Sequence, residues 1–100
     1  MIRHTVVFKL KHAAGSEAEL DFLRSAQKLA TDIPVVKNFE ALRQTSKKNN
    51  YDFGLSMEFA SEEDYQTYNA HPLHVQFVET RWIPEVADFI EIDYLPYTEA

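Results

Sequence analysis

Residues 51–59 read YDFGLSMEF, and their alternation decides the fold. Tyr51, Phe53, Leu55, Met57 and Phe59 occupy every second position, with Asp52, Gly54, Ser56 and Glu58 between them. Period two with one apolar side describes a half-buried strand. Just upstream, SKKNN at 46–50 is a polar turn. Before it, Val35 to Thr45 carries Val35, Val36, Phe39 and Leu42 and reads as another strand, less cleanly alternating. Two strands joined by so short a loop pair as an antiparallel hairpin.

Working outward, the amino-terminal end repeats the alternation. Ile2, His4, Val6, Phe8 and Leu10 face one way, and Arg3, Thr5, Val7, Lys9 and Lys11 the other. The pattern then breaks at HAAGSEAE, where Ser16 and Glu19 form a capping box that opens a helix over 17–32. Leu20, Leu23 and Ala30 share its apolar stripe with Phe22, Ala26, Leu29 and Ile33 beside it, and Pro34 ends it. Downstream, Ser61 caps a second helix whose first turn holds Glu62, Glu63 and Asp64. Pro72 interrupts it. A further helical stretch carries Val75, Val78 and Trp82, with Leu73 and Phe77 beside them, up to Pro84. Phe89, Ile90, Ile92 and Tyr94 mark the last strand.

The order is β-α-β-β-α-β, an α+β ferredoxin-like plan: a four-stranded antiparallel sheet with helices on one face. One hundred residues suit a single domain, with the core over about 2–95. The other sheet face is left bare, with Val7, Phe39 or Leu42, and Phe89 or Ile90 supplying apolar area. A second subunit packed sheet against sheet covers it economically.

Composition excludes several classes. The net charge is -6 and the longest basic run is Lys47-Lys48, so no basic face marks a nucleic-acid partner. No apolar run approaches the roughly 20 residues of a membrane span. The amino terminus lacks an apolar signal segment. A soluble, cytoplasmic protein is the expectation. The absence of cysteine removes disulfides and thiolate chemistry. With two glycines in all, no phosphate-cradling loop exists.

Four quoted stretches together, IRHTVVFKLK at the start, YDFGLSMEF, YNAHPLHVQF at 68–77 and IEIDY at 90–94, resemble the stress-responsive A/B barrel (Dabb) domain family over residues 2–95. The resemblance implies a homodimer in which two such sheets form one α/β barrel with helices outside. Most members have no assigned activity. A minority resemble plant polyketide cyclases, which close a linear polyketide by intramolecular aldol condensation with a tyrosine and a histidine as an acid/base pair. By position, that pair falls on Tyr68 and His74, and a strand histidine falls on His4. A further pocket histidine of that subset falls on Phe53, so the chain departs from the pattern there.

The residues also read without the resemblance. His74 is either a base oriented by a neighbour or a histidine tying the Pro72 kink together. Tyr68 is either a proton donor to a developing oxyanion or a core aromatic, and Tyr65 one turn earlier suits a packing stripe. His71 precedes Pro72, which biases it to extended angles and to a structural place at the turn; it also stands beside the candidate pocket. His4 is a polar residue on an apolar strand face and needs a partner or a cavity. The histidine spacing is poor for zinc, so no metal is expected, and no cofactor. The expected pocket is small and apolar, lined by His4, Phe53, Tyr68, His74 and Phe77, and takes a small apolar or aromatic ligand. If catalytic, it performs cofactor-free acid/base chemistry on a small carbonyl compound. Two alternatives stand beside this. One is a non-catalytic, stress-related binding module. The other is a dimer like the antibiotic-biosynthesis monooxygenases, for which Asn69, Trp82 and His74 are present as residue types without matching spacing.

Overall fold

The strand read first runs Phe53–Phe59 in a computed structural model that describes residues 1–98. The elements are β1 (Ile2–Leu10), α1 (Glu17–Asp32), β2 (Lys37–Arg43), β3 (Phe53–Phe59), α2 (Glu62–Ala70), α3 (Pro72–Phe77), a π-helical turn (Val78–Trp82), α4 (Ile83–Glu85) and β4 (Val86–Tyr94). The sheet order is β2-β3-β1-β4 with every neighbouring pair antiparallel. β3 thus lies between the parallel ends of a β1-α1-β2 unit, which is the ferredoxin-like arrangement the element order predicts.

Local chemistry sets the element boundaries. Ser16 accepts from the Glu19 N–H as the capping box requires, but the Glu19 carboxylate reaches the Gly15 N–H rather than that of Ser16. The Ser16 N–H already donates to the Ala13 carbonyl. Ser61 caps α2 in the same way through the Asp64 N–H. Pro84 does not stop the last helical stretch. The Ile83 N–H bonds to the Val78 carbonyl, five residues back, and Pro84 enters a fresh turn where its missing N–H is tolerated.

β2 is shorter than Val35–Thr45, and its poor alternation has a cause. Its pairing with β3 shifts between Lys37 and Glu40, and Asn38 takes a left-handed φ of 50°. Asparagine tolerates that conformation better than most residues. Phe39 faces the helices and Leu42, three residues on, faces the opposite side, as alternation requires; the bulge puts Lys37, opposite Glu58, out of step with Phe39.

The helix-facing side holds the core. Phe8, Phe22, Phe59 and Ile33 are fully buried. One cluster gathers Phe8, Phe22, Phe53 and Val6; another gathers Leu29, Ile33, Met57, Phe59 and Tyr68. Phe39 and Phe77 touch both. Leu20, expected on the packed stripe of α1, is exposed instead, as are Leu73 and Val75. On the bare sheet face lie Val7, Leu42 and Ile90, joined by Ile92 and Tyr94, while Phe39 and Phe89 belong to the helix side. Among the described residues no helix is long and apolar enough to cross a membrane.

Candidate functional site

Between the two core clusters lies a cavity of about 270 Å³. Its walls are mostly apolar, from Leu29 on α1 to Met57 on β3 and Trp82 on the π-helical turn. Four polar side chains enter it: His4, Tyr68, His74 and Glu91. Few, convergent polar groups on an apolar wall are the usual make-up of a small-molecule site.

His74 stands at the start of the break after α2. Its Nδ1 donates to the Asn69 carbonyl at 3.1 Å, which leaves Nε2 as the ring's acceptor. Burial, aided by His4 and His71, holds its pKa below the ordinary histidine value against the opposing pull of the Asn69 carbonyl and Glu91. The ring is therefore neutral near pH 7. Tyr68 lies against it with ring centroids 4.3 Å apart. Tyr68 is 4% exposed, yet its hydroxyl makes no hydrogen bond among the described residues. No buried side-chain polar atom there is left both enclosed and unpartnered, so this hydroxyl reaches open space, and the cavity is what it lines. Burial, with the Glu91 charge, pushes its pKa well above the ordinary phenol range, so it remains an O–H donor.

His4 is the buried polar residue of β1, and the register explains how it is satisfied. Pairing with β4 sets it opposite Asp93, whose Oδ1 lies 2.6 Å from its Nδ1. The Tyr65 hydroxyl sits 2.9 Å from the same nitrogen and donates to Asp93 Oδ2 at 2.8 Å. A ring whose Nδ1 donates to a carboxylate turns its Nε2 lone pair the other way, and His4 lines the cavity. Tyr65, stacked on Phe59 at 5.0 Å, is held for this task by packing. Its pKa too is raised, first by burial and then by Asp93.

Of the residues named from sequence, His4, Tyr68, His74 and Phe77 surround the cavity. Phe53 and His71 do not. Phe53 packs against Phe8 at 5.7 Å, with the Arg43 guanidinium over its other side, because its β3 position lies nearer the Phe8–Phe22 cluster than the cavity. His71 caps α3, its Nδ1 accepting from the Leu73 N–H, which commits the ring to the turn. Asn69 gives the site only its backbone carbonyl, while Trp82 supplies wall and packs on Phe8.

Sequence reasoning missed Tyr65, Asp93 and Glu91. The signal was present in FIEIDY at 89–94: Phe89, Glu91 and Asp93 alternate with Ile90, Ile92 and Tyr94. The acidic residues share the face of β4 that meets Phe8, Val6 and His4. It also missed what holds the π-helical turn. Arg81 bonds Glu85, Asp21 and Ser25, and His12 bonds Glu85 at 2.6 Å. This clamp fixes the turn that presents Val78 and Trp82 to the cavity. Among the described residues no group of three His, Cys, Asp or Glu side chains is placed to hold a metal.

The chain is similar to several known proteins. It is 28% identical over 96 residues to a stress-response A/B barrel domain-containing protein of Arabidopsis thaliana, and it spans 36% of that relative's length. A Dabb family protein of Mesorhizobium loti with a ferredoxin-like fold superposes with a TM-score of 0.95 at 56% identity, covering 97% of each chain. A dimeric ferredoxin-like protein of unknown function from Thermobifida fusca superposes with a TM-score of 0.76 at 23% identity, covering 93% of this chain and 88% of that one, a likeness of fold. The model of the stress responsive A/B barrel domain matches residues 2–96, and the chain belongs to that family.

Proposed function

We propose that the domain works as a homodimer and that each subunit's cavity binds a small apolar or aromatic carbonyl compound, on which His74 and Tyr68 perform cofactor-free acid/base chemistry. The observation that carries this reading is the unused pair itself: a neutral His74 with Nε2 unengaged, against a Tyr68 hydroxyl without a partner among the described residues, in a mostly apolar cavity. His74 Nε2 takes a proton from the carbon next to the carbonyl. As charge moves onto the carbonyl oxygen, the Tyr68 O–H donates to it. The imidazolium returns the proton when the resulting enolate has reacted or collapsed. His4, fixed by Asp93 and Tyr65, borders the same space and orients the bound compound. The bare, apolar sheet face of Val7, Leu42, Ile90, Ile92 and Tyr94 supports the dimer, as does the dimeric state of the Thermobifida fusca protein.

The test is deuterium exchange at the α-carbon of small aryl ketones and 1,3-diketones, followed by NMR. The wild-type protein should accelerate exchange, and His74→Gln should lose about 10²- to 10⁴-fold of that acceleration. Ketones that shift the Tyr68 and His74 resonances without exchanging would leave a binding site and remove the chemistry. Absence of any shift would remove the site.

A further inference from the structure

Among the described residues Glu91 is the one acidic side chain on the cavity wall, and neither the family pattern nor the acid/base pair gives it a task. The register puts it on the helix-facing side of β4, opposite Val6, between Phe89 and Asp93. It is exposed as well as cavity-lining, so it stands at the mouth. Among the described residues it makes no hydrogen bond or ion pair, and no Lys or Arg lines the cavity. Its negative charge reaches inward, since it acts on both Tyr68 and His74.

We propose that Glu91 sets the specificity of the cavity for a ligand that carries a protonated amine on an aromatic or apolar body. The proposal rests on the reading of the cavity as a small-molecule site. At the mouth the group on offer is a charged acceptor, Glu91, while His74 Nε2 and the Tyr68 hydroxyl remain for the acid/base step. An ammonium group brings three donors and no acceptor, and its charge meets that of Glu91. The aromatic side chains of Trp82, Phe77 and Phe89 on the wall suit a neighbouring cation. A carboxylate meets the opposite situation: a like charge at the mouth, no cation inside, and a desolvation cost with nothing to offset it. The cavity, at about 270 Å³, sits at the small end of ligand pockets, which suits a one-ring compound.

A matched trio tests this: phenethylamine, 2-phenylethanol and 3-phenylpropanoate, titrated into the full chain at pH 7 and low salt, with affinity read from chemical-shift changes. The amine should bind at least about fivefold tighter than the alcohol, the scale of a partly exposed charge pair, and the carboxylate weakest. Glu91→Gln, which keeps shape and removes charge, should erase the amine's advantage while leaving the alcohol's affinity unchanged. An alcohol or carboxylate that binds as tightly as the amine, or an amine preference that survives Glu91→Gln, overturns the proposal and leaves the cavity reading intact. Failure of all three compounds to bind overturns both.

Discussion

Tyr65 and Tyr68 lie three residues apart on one helix, and losing the same atom from each should have opposite consequences. The Tyr65 hydroxyl donates to Asp93 Oδ2 at 2.8 Å and contacts His4 Nδ1 at 2.9 Å. Tyr65→Phe keeps the ring stacked on Phe59 but leaves a buried imidazole and a carboxylate with one partner fewer. Lost hydrogen bonds of this kind cost about 1–2 kcal/mol, which for a domain of this size lowers Tm by about 5–10 °C. Tyr68→Phe loses no protein hydrogen bond and keeps the ring contacts with Phe59 at 5.2 Å and His74 at 4.3 Å. Removing a hydroxyl from a residue only 4% exposed relieves a desolvation cost, so stability should stay within about 0.5 kcal/mol of wild type or rise slightly. Ketone exchange should nevertheless fall. Thermal unfolding at one fixed protein concentration measures both, since the stability of the proposed dimer depends on concentration. If Tyr68→Phe destabilises as much as Tyr65→Phe, the Tyr68 hydroxyl is bonded within the fold and the assignment of it as the cavity's donor is wrong.

Three further outcomes follow from the geometry. Phe8 is fully buried against Phe22, Phe53 and Trp82, so Phe8→Ala should cost about 3–5 kcal/mol in urea unfolding; a loss under about 1 kcal/mol would mean the cluster re-forms without it. The folded state holds the His74 pKa below that of the unfolded chain, so the unfolded chain takes the proton first. The stability of the wild type should be fully present above about pH 6.5 and be lost as pH falls through that value and the lower folded one, more steeply than for His74→Gln; parallel pH curves would refute a buried His74. Ile90→Asp places a charge on the bare sheet face and should convert a dimer at micromolar concentration into a monomer by sedimentation, with weaker fragment binding; a monomeric wild type would end the dimer reading.

The sheet was legible because strands β1 and β3 alternate without interruption, and each apolar face points to one core. The α1 boundaries were legible because Ser16 and Pro34 mark both ends. What stayed hidden depends on register. A bulge at Asn38 puts Lys37 out of step with Phe39, and nothing in the local pattern announces a single residue with positive φ. Pro84 read as a stop because the i→i+5 bond that makes room for it leaves no trace in residue type. The site divides the same way. His4, Tyr68 and His74 are visible as polar residues on apolar stripes. Asp93 and Glu91 became partners only once β4 was laid beside β1, because an acidic residue in a terminal strand reads as solvent-facing until its neighbour is known. Phe53 was drawn into the pocket by analogy of position, whereas packing against Phe8 holds it elsewhere.

β4 therefore carries two tasks on opposite faces. Outward it presents Ile90, Ile92 and Tyr94, all heavily exposed in the lone chain; inward it presents Phe89 and Glu91 to the cavity and Asp93 to His4. It is an edge strand, paired on one side by β1, and only Val86 at its start is buried. Its inward carboxylates are nevertheless what orients His4 and gives the cavity its sign of charge. A partner sheet laid over Ile90 and Ile92 would restrain the same backbone that positions Glu91 and Asp93. On the reading proposed above, dimerisation and the chemistry of the site are then coupled through one strand. This is why a substitution that points away from the cavity, such as Ile90→Asp, is expected to weaken binding within it.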